Sequence, residues 1–221
     1  MRFLKKLEQR IRKAWKRWRG QPELPRFYRS QARFRKRYPH YQVGLGTYGI
    51  PVVHDWDEGT TLRIGSYCSI ADNVRIFLGG QHRIDWVSSY PFPAYLPEAE
   101  HIENFGGSRG DVIIGNDVWL CSNCTILSGV TVGHGAVIAS GALVTRDVPP
   151  YAIMAGNPAQ QVRWRFDEDT RNALLESAWW DWPESEIRQI VDKLCSNDLA
   201  GFIAYARSRS TSGQSQPPQA T

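Results

Sequence analysis

The feature that most constrains this chain is a period of six. From Ile64 the sequence reads IGSYCS IADNVR IFLGGQ, breaks off, and resumes at Ile114 as IGNDVW LCSNCT ILSGVT VGHGAV IASGAL VTRDVP. The first slot holds Ile64, Ile70, Ile76, Ile114, Leu120, Ile126, Val132, Ile138 and Val144, all branched aliphatics. The fifth holds Cys68, Val74, Gly80, Val118, Cys124, Val130, Ala136, Ala142 and Val148, all small or Val. Neither a helical period nor strand alternation gives this spacing. A short strand plus a turn does, with three units closing one triangular coil of a parallel β-helix. The first run then makes one coil and the second two. Strand edges are satisfied by the coils above and below, and Gly65, Asn116, Asp117, Ser128, Gly129, Gly133 and Gly135 fall on turns.

Between the runs, residues 82–113 are too long and Pro-rich for a turn, and a long excursion from a regular scaffold is usually functional or disordered. After Val148, Asp167-Glu168-Asp169 and Pro183-Glu184 read as helix starts before Thr170–Trp180 and Ser185–Cys195. These helices are expected to pack on the solenoid and cap its end. The division expected is therefore a basic segment (1–40), a β-helix domain (41–166), C-terminal helices (167–206) and a disordered Ser/Gln/Pro tail (207–221). Within the first segment, residues 1–19 space Phe3, Leu4, Leu7, Ile11, Ala14, Trp15 and Trp18 by three and four among Lys and Arg, an amphipathic helix pattern. The stretch from Pro25 to Pro39 is basic and aromatic without clear period.

The formal charge of +5 hides two unlike parts. Residues 1–40 carry 15 Lys and Arg against 2 acids, so the remaining body is acidic. No apolar run is long enough to span a bilayer or resembles a secretory signal core. Four Cys give no disulfide framework, which makes a cytoplasmic location the expectation.

The hexapeptides, the loop GGQHRIDWVSSYPF (79–92), the stretch GNDVWLCSN (115–123), the signature GNPA (156–159) and the ending RFDEDTRNALLESAWWDWP (165–183) together resemble the xenobiotic acetyltransferases. That is the hexapeptide-repeat branch containing type B chloramphenicol and streptogramin acetyltransferases and many polysaccharide O-acetyltransferases. The resemblance implies a left-handed parallel β-helix, a homotrimer, and acetyl-CoA bound between neighbouring subunits. His82 matches the family's catalytic histidine, and a neutral imidazole suits removal of a hydroxyl proton near neutral pH. Similarity to the wider hexapeptide acyltransferases points to Ser122, Ser140, Thr145, Arg146, Arg163 and, in the GNPA signature, Asn157 as cofactor-binding positions. Arg146 and Arg163 suit phosphates chemically. Position 146 is Arg where the family pattern has Lys, which keeps the charge and changes the geometry. Trp119 either lines the active-site groove or packs under the C-terminal helices.

Cys121-x-x-Cys124 invites a zinc or redox reading, but the hexapeptide register makes Cys124 and Cys68 small inward residues. His82, His101 and His134 are too scattered for a shared ligand set, so no metal is expected. The leader has three readings: adsorption to an anionic membrane surface, nucleic-acid binding by charge alone, which no recognition module accompanies, or packing on the trimer. The expected function is acetyl-CoA-dependent O-acetylation of a hydroxyl. A sugar in surface-polysaccharide or lipopolysaccharide biosynthesis is favoured as acceptor, since a basic leader suits a lipid-linked glycan at the inner face of the membrane. An antibiotic acceptor and a catalytically silent scaffold are the alternatives.

Overall fold

The computed structural model describes residues 24–213, so the amphipathic helix expected over 1–19 and the last residues of the tail lie outside the described residues. Helix α1 (Arg26–Arg37) is followed by β1 (Gln42–Val43), β2 (Val52–His54), β3 (Leu62–Ile64), β4 (Ser69–Ile70) and β5 (Arg75–Phe77). The excursion carries β6 (Gln81–His82) and β7 (Gly106–Gly107). The wall resumes with β8 (Val112–Ile114), β9 (Trp119–Leu120), β10 (Thr125–Ile126), β11 (Thr131–Val132), β12 (Val137–Ile138) and β13 (Leu143–Val144), and ends in β14 (Ala152–Gly156) and β15 (Ala159–Trp164).

Three sheets form the faces of a parallel β-helix. Face 1 is β1-β3-β8-β11, face 2 contains β4-β9-β12-β14-β15, and face 3 is β2-β5-β10-β13. The chain visits them in that fixed order, and neighbouring coils pair in parallel. Thr131 lies beside Ile113, Val137 beside Trp119 and Leu143 beside Thr125, eighteen residues or three hexapeptides apart each time. Every first-slot aliphatic is at most 3% exposed. The fifth slot is equally buried except at Gly80, which leaves the core where the chain departs into the excursion. Leu62 and Val112, both fully buried, extend that inward column. The regular wall is longer than the periodicity implied, because residues 42–54 add a coil before Ile64 and Val148 with β14 begin another.

The corners explain the non-aliphatic slots. Between faces 1 and 2, Gly46, Tyr67, Asp117, Gly135 and Tyr151 all have positive φ and stack as a column. In the last four of these the N–H donates to a carbonyl one coil back, as in Asp117 to Ser66 at 2.9 Å and Gly135 to Asn116 at 2.8 Å. Gly, Asn and Asp tolerate this conformation best, and the matching corner between faces 2 and 3 uses Asn73, Asn123 and Gly141.

Three segments differ from expectation. Residues 26–37, read as having no clear period, form a helix whose buried side is Ser30, Gln31 and Phe34. Two polar residues on that side masked the pattern; α1 covers the first coil, with Phe34 in the main core and Ser30 Oγ accepting from Gly49 N–H at 3.1 Å. The second expected helix divides at Ile190 into α3 (Glu184–Gln189) and α4 (Val191–Leu194) after α2 (Glu168–Ser177). A last helix, α5 (Leu199–Gly213), runs past residue 206 into the segment expected to be disordered, because Phe202 and Ala206 pack into a second core with Tyr151, Leu174, Trp182 and Ile187. These helices lie along the corner between faces 1 and 2, where Trp179 meets Tyr67 and Trp180 stacks on His134 at 4.6 Å. The end of the wall is closed by β15 pairing antiparallel with β14.

Candidate active site

The excursion leaves the corner between faces 3 and 1 as a short ribbon in which Gln81 pairs with Gly107 and His82 with Gly106. Two glycines let it leave. A Cβ on Gly79 would lie 1.8 Å from Glu58 Oε2, and one on Gly80, whose φ is +75°, would lie 2.8 Å from the Trp56 ring. Glu58 accepts from Gly80 N–H at 3.0 Å, and Trp56 continues an aromatic stack with His54 and Phe77. On the other side Ser128 Oγ accepts from Gln81 Nε2 at 3.0 Å and from the Arg109 backbone N–H at 3.3 Å, joining both arms of the excursion to the wall.

His82 is exposed, and its Nδ1 lies 2.8 Å from the carbonyl oxygen of Ser89. A carbonyl can only accept, so Nδ1 carries the proton, and in the neutral ring Nε2 keeps its lone pair. Arg83 braces the same loop, donating to Asp85 at 2.7 Å and to Asn104 O at 3.3 Å, and the guanidinium holds the Asp85 carboxyl down at about 2. Arg83 and Asp85 thus compensate each other's charge.

The expected cofactor positions fall into three groups. Ser122, Ser140 and Asn157 follow face 2 on successive coils, with Gly141 N–H donating to Ser122 O at 3.1 Å. Thr145 and Arg146 follow β13 at the corner between faces 3 and 1, the corner of His82. Trp119 and Arg163 lie on face 2, paired with Val137 and Ile153 respectively, and both are exposed. Face 2 is the side of the triangle opposite the corner of His82, so one chain does not bring all these residues together. Trp119 is 53% exposed and is not covered by the C-terminal helices.

Cys68 and Cys124 are fully buried in the wall, and burial pushes their thiols up to about 11 and about 12. His134 accepts from Asn116 N–H at 2.9 Å through Nδ1, a structural contact. Among the described residues no group of three or more His, Cys, Asp or Glu side chains is placed to hold a metal ion, and no helix is long and apolar enough to cross a membrane.

Residues 111–146 match the bacterial transferase hexapeptide family (six repeats). A chloramphenicol acetyltransferase of Escherichia coli is 44% identical over 166 residues, covering 72% of this chain and 76% of the relative. The chain belongs to the hexapeptide-repeat xenobiotic acetyltransferases. Another relative, described as "Probable macrolide acetyltransferase" of Lysinibacillus sphaericus, is 38% identical over 146 residues, 62% of this chain and 79% of its own. Among solved structures, a hexapeptide-repeat acetyltransferase of Vibrio cholerae O1 biovar eltor complexed with acetyl coenzyme A is 24% identical, covering 58% of this chain and 67% of its own, with a TM-score of 0.45. Like the rest of this family, the chain is an acetyltransferase. The motifs point to His82 and do not point to Trp56, Glu58 and Ser128, which hold Gly79, Gly80 and Gln81 just before it. The available signal was the segment HDWDEGTT, which lengthens the coil just before the excursion.

Proposed function

We propose that this acetyltransferase moves an acetyl group from acetyl coenzyme A to an acceptor hydroxyl, with His82 as the general base. The observation that carries this reading is the Nδ1 contact of His82 with the Ser89 carbonyl, which leaves Nε2 as the basic nitrogen on an exposed ribbon. Acetyl coenzyme A supplies the acetyl thioester. His82 Nε2 takes the hydroxyl proton as the acceptor oxygen attacks, and returns it to the departing sulfur, so no covalent enzyme intermediate is needed. Such a base contributes about 10²–10⁴-fold, and holding both substrates in one groove supplies much of the rest.

Arg146 and Arg163 are exposed cations able to pair with phosphates, while Ser122, Ser140, Thr145 and Asn157 offer polar contacts and Trp119 an apolar wall. Their division between the corner of His82 and the opposite side favours a shared site. The β-helix in this reading is left-handed, and three copies assemble so that His82 of one chain faces the face-2 residues of another. Mixing inactive His82→Ala chains with inactive Arg163→Ala chains through dissociation and reassembly is expected to restore activity, which a site confined to one chain would not allow.

The acceptor in this reading is a sugar hydroxyl of a surface polysaccharide or lipopolysaccharide precursor, supported by the strongly basic leader. Residues 1–19 hold the cytoplasmic enzyme against an anionic membrane, and liposome flotation with and without them tests this. The second reading, acetylation of chloramphenicol or a related antibiotic, is favoured by the 44% identity over 76% of a chloramphenicol acetyltransferase. An acceptor panel containing chloramphenicol and sugar glycosides, followed by release of free thiol, decides between them. His82→Ala is expected to abolish the release while leaving assembly intact. Full activity in that variant refutes the base; no acetyl coenzyme A binding by the wild type refutes the whole reading and favours a silent scaffold.

A further inference from the structure

Helix α1 lies across the open end of the first coil, and its side chains reach all three sides of that coil. Arg35 donates to Val43 O at 3.3 Å on face 1, and Ser30 Oγ accepts from the N–H of Gly49, which follows Tyr48 on face 2. The Tyr38 hydroxyl, just past the helix, donates to Pro51 O at 3.1 Å beside β2 on face 3. Phe34 plugs the interior, and the Tyr28 hydroxyl donates to Glu184 of α3, so the helix is fixed near both ends. Since Ser30, Gln31 and Phe34 face the coil, helical geometry puts Arg29, Arg33 and Lys36 on the opposite side, with Arg26 and Arg37 on one flank and Arg35 on the other. All six are exposed. They look away from the wall, along the axis of the solenoid.

Helix α1 contains no Asp or Glu, and Arg26, Arg33, Arg35, Lys36 and Arg37 pair with no carboxylate among the described residues. Arg35, Lys36 and Arg37 suit the carboxyl end of the helix dipole. Arg26 and Arg29 occupy the first turn, where acids are favoured, and cations three and four residues apart repel. Helix stability therefore does not account for the pattern, whereas a counter-charge from outside does. We propose that the outer side of α1 is a docking surface for the anionic headgroups of a membrane. The cations lie on the blunt end of a rigid rod, and copies packed side by side about the solenoid axis all turn that end toward one plane, which suits a bilayer better than a nucleic-acid groove. Residues 1–19, with nine Lys and Arg to one Glu, precede α1 by a few residues, so both basic stretches can meet the same surface. The ribbon of His82 leaves the wall after β5, in the coil next to the one α1 covers. Docking through α1 thus stands the solenoid on end with the proposed base near the headgroups. This extends the membrane reading of residues 1–19, and either can fail without the other.

The test is arginine footprinting of the full chain with phenylglyoxal, read by mass spectrometry, on vesicles of phosphatidylglycerol and phosphatidylcholine and on phosphatidylcholine alone. Anionic vesicles are expected to slow modification of Arg26, Arg33 and Arg37 severalfold and to leave Arg63 and Arg75, exposed on the wall, unchanged; phosphatidylcholine alone is expected to protect none. Each basic residue near an anionic surface contributes about fivefold in affinity. Arg26→Gln with Arg33→Gln and Lys36→Gln is therefore expected to weaken partitioning about 20- to 100-fold without moving the melting point. Arg26→Lys with Arg33→Lys, which keeps the charge, is expected to partition like the wild type. If the chain binds anionic vesicles with its α1 arginines unprotected, or if the Gln variant partitions undiminished, this proposal is overturned and the part assigned to residues 1–19 stands. A wild type that does not bind anionic vesicles overturns both. Protection of α1 by RNA but not by vesicles assigns the surface to a nucleic acid and overturns the proposal as well.

Discussion

Replacing Ser128 by Ala tests how the wall holds His82, the proposed base, in place. Ser128 is 3% exposed, and its hydroxyl oxygen accepts from the side chain just before His82 and from the backbone of the returning arm. Removing it deletes two neutral hydrogen bonds, about 0.5–1.5 kcal/mol each, so about 1–3 kcal/mol of anchorage. Global stability is about 5–15 kcal/mol, so the loss is taken locally, by release of the ribbon, and the calorimetric melting point falls by only a few degrees. A loss of one or two kcal/mol multiplies the released-to-docked ratio by about 5–30. Because His82 adjoins Gln81, and small misplacements of reacting groups cost up to about 10²-fold, kcat for thiol release is expected to fall about ten- to a hundredfold. The KM for acetyl coenzyme A stays near that of the wild type, and the pH profile keeps its shape because the same imidazole acts. Gln81→Met, which removes the donor and keeps the stem, changes kcat in the same direction by less. A Ser128→Ala enzyme with wild-type kcat, or one changed in KM alone, refutes this account of positioning.

Ile126→Ala removes a fully buried side chain stacked between Ile76 and Val144; a cost of about 2–5 kcal/mol lowers the melting point by roughly 4–20 °C, and calorimetry showing no shift contradicts the stacking. Gly80→Ala forces Ala to a φ of +75° and its Cβ to 2.8 Å from the Trp56 ring, so kcat drops, and adding Trp56→Ala recovers the steric part but not the part due to φ. His134 is held below the ordinary histidine range by burial, and its Nδ1 lone pair is already engaged by Asn116. The unfolded chain therefore binds more protons as pH falls through about 6.5 toward the lower folded value, and stability is lost in that window. Denaturant titrations at several pH values are expected to show a shallower acid loss in His134→Gln than in the wild type, and parallel slopes would rule the contribution out.

Much of the fold is legible because the inward slots of a hexapeptide permit so little. A first-slot residue must fill the interior and a fifth-slot residue must let the wall turn, so aliphatic and small side chains recur together. Legibility fails where burial is bought with polar groups or by contact from elsewhere. Helix α1 hides Ser30 and Gln31 as well as Phe34, and no hydrophobic period can register them. Helix α5 starts just after Asp198, whose Oδ1 accepts from Gly201 N–H at 2.9 Å, but its Ser- and Arg-rich end resembles a solvated tail. Arg209 nevertheless pairs with Glu186 at 2.8 Å, a partner twenty-three residues away that only the packed helices bring near.

The site is less legible than the fold for a geometric reason. A period of six says that a residue lies on a turn; only the period of eighteen says which corner. Ser122 and Ser140 share a corner because they are eighteen residues apart, whereas Arg146, six residues beyond Ser140, has moved round to the next. Motif resemblance ignores this distinction and gathers Ser122, Ser140, Arg146 and Arg163 into one set. The coils disperse that set across two corners and a face, and place His82 opposite Trp119 and Arg163. Local geometry can tune the histidine through Ser89, Ser128 and Glu58, all reachable within one chain. Residues on face 2 of that same chain can reach the histidine only through the core, which is solid with the first-slot aliphatics. If they act in the same reaction, they must therefore act on the histidine of another copy.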